Sequence, residues 1–76
     1  MTFKDFEIAS ASVKTYVTVY KGKELVDDFL INYGENDPDI LGQAIDKKYD
    51  LMRKGAEVEI FSPMRGGIHV SVHLPE

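Results

Sequence analysis

The side chains of this chain whose types and spacing could do acid–base or metal chemistry are His69, His73, Glu57 and Glu59. On a strand the two histidines share a face but stand four residues apart, about 13 Å at 3.3 Å per residue. That span is too wide for one ion held by bonds of about 2 Å. Each histidine could instead meet Glu57 or Glu59 across a strand pair, a modest surface contact that would make the face respond to pH near neutrality. No Ser/His/Asp arrangement and no phosphate-binding loop are present. The turn Met64-Arg65-Gly66-Gly67 could offer amides to an anion, but two glycines in a hairpin are mostly turn chemistry. A two-layer domain of 76 residues has little room to enclose a substrate. The residues therefore predict a non-catalytic protein with no metal and no cofactor.

These side chains must be positioned by a small set of elements, of which the stretch 36–55 reads as the only helix. Asp37 can accept from the free amides of the first turn, Pro38 suits the first helical position, and Asp39 adds negative charge there. Arg53 and Lys54 place positive charge in the last turn, and Gly55 can take the left-handed closing conformation. At about 100° per residue, Ile40, Leu41, Ala44, Ile45, Tyr49, Leu51 and Met52 form one apolar arc. On that arc Leu41→Ala or Ile45→Ala is expected to cost about 2 to 5 kcal/mol. Lys48 falls inside the arc. It can run its stem along apolar surface to an edge, or pair with a buried carboxylate, for which Asp27 is the candidate.

The remaining chain reads as strand and turn. Residues 1–12, with Phe3, Phe6 and Ile8, read as an N-terminal arm or the start of strand one. Residues 13–20 alternate, with Val13, Thr15, Val17 and Val19 on the core face and Lys14, Tyr16, Thr18 and Tyr20 opposite. Lys21-Gly22-Lys23 is a turn and 25–33 the returning strand, with Leu25, Phe29, Ile31 and Tyr33 in phase. A three-residue loop is expected, because it pairs Val19 with Leu25, Thr15 with Phe29 and Val13 with Ile31. A two-residue loop pairs Val17 with Val26 and needs a bulge at Asp27-Asp28 to restore the phase before Phe29. Residues 56–62 make strand three, and Ile68, Val70, Val72 and Leu74 alternate with His69, Ser71 and His73 in strand four, which Pro75 ends. The order ββαββ predicts a single α+β domain in two layers: a four-stranded antiparallel sheet of two hairpins with one helix on one face.

Composition narrows the partners. Nine basic and thirteen acidic residues give a net charge of −4, which opposes attraction to phosphate backbones or anionic lipid. There is no cysteine, so neither disulfides nor thiolate metal sites can support so small a core. No membrane span or signal peptide is seen, and a cytoplasmic protein is expected.

A single helix covers one side of the sheet and leaves the other side open. The residues expected there include Tyr16, Tyr20, Leu30, Phe61, His69 and His73, more apolar and aromatic surface than scattered exposure would give. Strand propensity alone accounts for part of it. The set predicts an accessory or inhibitor-like protein that binds another protein, or a second copy of itself, through this face. The alternative is a single-stranded nucleic-acid binder that stacks bases on the same rings. Against it, Lys14 is the one cation among the aromatics, while Glu57 and Glu59 flank Phe61.

Overall fold

A computed structural model describes residues 1–10 and 13–75. Its elements are α1 (Phe3–Ser10), β1 (Thr15–Lys21), β2 (Glu24–Ile31), α2 (Pro38–Arg53), β3 (Glu57–Met64) and β4 (Gly67–His73). The protein is α+β, with a four-stranded mixed sheet in the order β2-β1-β4-β3 and two helices.

The sheet is mixed rather than antiparallel throughout. Each hairpin is antiparallel, but the hairpins join through β1 and β4, which run parallel with Thr15 beside Ile68 and Tyr20 beside His73. The composition of the strands gives the reason. Only β1 and β4 lack carboxylates, whereas β2 carries Glu24, Asp27 and Asp28, and β3 carries Glu57, Glu59 and Pro63. Charged side chains and a proline, which cannot donate to a ladder, belong on sheet edges. The helix-bearing connection then carries the chain from one edge strand to the other.

The N-terminal residues form a helix, not an arm or a strand; Ala11 and Ser12, at the end of that stretch, lie outside the described residues. Thr2 opens it, its Oγ1 accepting from the Asp5 amide at 3.2 Å. Phe3, Phe6 and Glu7, spaced i, i+3 and i+4, turn inward together and are all buried. Ahead of the helix, the Val58 amide donates to the Met1 carbonyl at 2.8 Å and Thr2 bridges Glu57, which shields the start of the β3 edge.

Helix α2 starts and stops where its signals lie. The Asp37 side chain accepts from the Asp39 amide at 2.9 Å, Pro38 follows it, and Gly55 closes the helix at φ +68°. Its rotation differs from the centre of its apolar arc. Ala44 and Leu51 are buried and Met52 packs against the core, but Ile40, Leu41, Ile45 and Tyr49 are exposed. The expected 2 to 5 kcal/mol cost therefore does not apply to Leu41 or Ile45, since a side chain already in water has little burial to lose. The reason is Lys48. With α1 packed alongside, Lys48 Nζ reaches buried Glu7 Oε1 at 3.3 Å, while Lys47 takes Asp27 at 3.1 Å. Asp27 thus pairs with the neighbouring lysine, not with Lys48.

The hairpin of β1 and β2 keeps the expected faces with a different register. Lys21 pairs with Glu24 across a turn in which Gly22 has φ +63°, and Tyr20 pairs with Leu25. Val26 is then bulged, so that Val19 meets Asp27, Val17 meets Phe29 and Thr15 meets Ile31. The inward phase survives, displaced by one pair of residues. The core comprises Phe3, Phe6, Val17, Val19, Ile31, Ala44, Leu51, Ala56, Val70 and Val72.

Candidate functional site

The face of the sheet away from the helices is built on β1 and β4, which run in register side by side. Tyr16 lies beside His69, Thr18 beside Ser71 and Tyr20 beside His73. The Tyr16 and His69 ring centres are 5.2 Å apart with planes tilted by 33°, and those of Tyr20 and His73 are 5.6 Å apart and stacked. Between the two pairs, Thr18 Oγ1 lies 3.0 Å from His69 Nε2 and 3.1 Å from Ser71 Oγ. Four aromatic rings thus flank a low saddle of hydroxyls. Along the strands the two ring pairs are about 13 Å apart, four residues at 3.3 Å.

Acids frame the rings. The Tyr16 hydroxyl donates to Asp28 Oδ2 at 2.6 Å, and this bond to a carboxylate is the main cause that holds the phenol above its ordinary value of 10.0. Glu59 pairs with His73 Nε2 at the other side of the face. The face is thereby tied together by its own polar contacts, with no buried side-chain polar atom left unpaired among the described residues.

The structure brings together Tyr16, Tyr20, Leu30, His69 and His73 from the expected set. Leu30 stands directly across from Tyr16 on β2. Phe61 does not join them. The extra residue Glu59 shifts the phase of β3, so Phe61 pairs with Val70 on the helix side, its ring 6.1 Å from that of Phe6, and Ile60 moves to the open face opposite Ser71. Alternation of Val58 and Ile60 in the sequence concealed the bulge. Glu59, between Val58 and Ile60, is where a charged residue on an edge strand most easily leaves the pleat.

No protein-family model, curated protein or solved structure matches this chain. What the face can bind follows from its own side chains. The described residues contain no group of three or more His, Asp or Glu placed to hold a metal ion, and no helix among them is long and apolar enough to cross a membrane.

Proposed function

We infer that the protein is a non-catalytic binding module that docks on a basic surface of another protein through the open face of its sheet. The observation that carries this reading is the pair of Tyr–His contacts on adjacent central strands, framed by Asp28 and Glu59. Rigid aromatic rings supply contact area with little conformational entropy to lose, and they are the residues most enriched at binding hot spots. Electron-rich ring faces next to carboxylates favour the guanidinium or ammonium of a partner, while the hydroxyl saddle of Thr18 and Ser71 leaves room for its stem. The same acids oppose a phosphate backbone.

The test begins with sedimentation equilibrium on the wild type and Tyr16→Ala at two salt concentrations. A monomer in both leaves the face available, whereas a dimer that dissociates in the mutant would mean a second copy occupies it. Peptides selected on the immobilised wild type from a random display library should then be enriched in Arg or Lys, and should lose about tenfold or more in affinity against Tyr16→Ala and Tyr20→Ala. Selection of acidic peptides, or binders indifferent to both substitutions, would overturn the reading. Tight binding of oligothymidine that weakens steeply with salt would favour the nucleic-acid alternative.

A further inference from the structure

The rotation of α2 leaves apolar side chains without a cover on the opposite side of the molecule. Leu41, Ile45 and Tyr49 follow one another at i, i+4 and i+8 and are 42%, 39% and 53% exposed. They form a row about 12 Å long at 1.5 Å per residue. Leu41 and Ile45 wall a groove of about 370 Å³ between α2 and the segment that leaves β2, with Ala44 and Ile31 deeper in it. Such a volume falls within the range of binding clefts, and a row with this spacing is what a partner helix meets when it lies along another.

The charges around the row indicate what covers it. Its one cation, Lys48, is taken up by Glu7, so the groove floor is neutral. The carboxylate on the groove lining, Glu35, has no ion-pair partner among the described residues. Glu35 stands on the groove lining, where it accepts from the Tyr33 hydroxyl and the Asp37 amide, both at 2.8 Å; these bonds, the amide first, hold its carboxyl below the ordinary value of 4.5. An occupant must therefore bring apolar side chains at helical spacing together with positive charge.

We propose that the groove along α2, walled by Leu41 and Ile45 and bordered by Glu35, is a second docking site that takes a basic amphipathic helix of a partner protein. Leucine-sized side chains of that helix fill the groove in the i, i+3, i+4, i+7 pattern, and a lysine or arginine of it faces Glu35. Leu30 of the open-face set also lines this groove, but neither Tyr–His pair does, and the site stands or falls independently of those pairs.

The probe is a capped synthetic helix with leucines along one face and lysines on both flanks, titrated into isotopically labelled protein and followed by amide shifts and by fluorescence anisotropy. Shifts should concentrate at Leu41, Ile45 and Tyr49. Ile45→Ser should weaken binding about tenfold or more, because it removes an apolar side chain that the complex buries. Tyr49→Ser serves the same purpose should Ile45→Ser fold poorly. Glu35→Gln should weaken binding and flatten its salt dependence, and Tyr16→Ala should leave it unchanged. Equal binding by a peptide whose leucines are replaced by serines would reduce the effect to bulk charge and overturn the proposal. So would equal binding by a peptide with glutamates in place of lysines, or shifts confined to the Tyr16–His69 face.

Discussion

Lys48 on α2 and Glu7 on α1 meet at 3.3 Å with side chains only 18% and 6% exposed, and this pair joins the two helices across the top of the sheet. Asn32, whose backbone takes φ +60°, adds its Nδ2 at 3.4 Å from the same carboxylate. The contact explains both an inward-facing acid on α1 and a lysine inside an apolar arc.

A buried carboxylate deprived of its partners is the costly outcome, since its desolvation is no longer offset. Lys48→Ala should therefore destabilise by about 3 kcal/mol, a large part of the 4 to 11 kcal/mol, roughly, expected for a chain of this length. The double variant Glu7→Leu with Lys48→Met removes both charges and should recover most of that loss. Urea unfolding of the three proteins measures it. A single mutant as stable as the wild type would mean that Glu7 finds water in solution.

Burial also separates neighbouring positions on α2. Leu51 is 4% exposed and inserted in the core, so Leu51→Ala should cost about 2 to 4 kcal/mol. Leu41→Ala, at a half-exposed position, should cost under about 1 kcal/mol. Comparison of the two urea midpoints fixes the rotation of the helix. Equal losses would place Leu41 in the core, as the arc alone suggests.

Much of this architecture was legible because local signals agree with one another. Asp37-Pro38 and Gly55 bound α2 in the sequence, and the alternation of Val17 and Val19 with Tyr16 and Tyr20 assigned both faces of β1. What escaped was decided by single residues acting at a distance. One bulge at Val26 and one at Glu59 move side chains between faces without disturbing the apolar pattern that suggests regular strands. The short α1 was hidden because one of its inward positions is Glu7, which becomes intelligible only with Lys48 beside it, 41 residues away in sequence. The parallel contact of β1 and β4 has its signal in the sequence in the confinement of carboxylates to β2 and β3, the edge strands. For the open face, strand phase found the Tyr–His pairs, and the bulge at Glu59 removed Phe61 from them.

The turn between β3 and β4 gives a third prediction. Gly66 takes φ +81°, and Gly67 lies so close to β1 that an added Cβ would fall 2.1 Å from the Lys14 carbonyl oxygen. That carbonyl accepts from the Ile68 amide at 2.9 Å, the bond that starts the parallel ladder. Gly67→Ala must push the strands apart there and should cost about 2 to 4 kcal/mol. Hydrogen exchange should show faster loss of protection at Ile68 than elsewhere in β4. An unchanged midpoint would mean that the central pair of strands tolerates separation at this end.

The last prediction concerns alkaline pH and the Tyr16–Asp28 bond. The phenol donates to a carboxylate, so its ionisation removes the donor and sets two negative charges against each other, and its folded-state value lies above 10.0. A group raised in the folded state contributes stability that is fully present below its unfolded value. That contribution is lost as pH rises through the folded value. Spectrophotometric titration should accordingly show one tyrosine ionising later in the wild type than in Asp28→Asn, where the phenol returns toward its ordinary value. The window of interest lies above pH 10. Because Tyr16 stands at the surface, the change in unfolding free energy should be small and the spectroscopic shift the clearer readout. Identical titrations of wild type and Asp28→Asn would mean that the hydroxyl prefers water to Asp28, and the acid frame of the open face would lose one of its two sides.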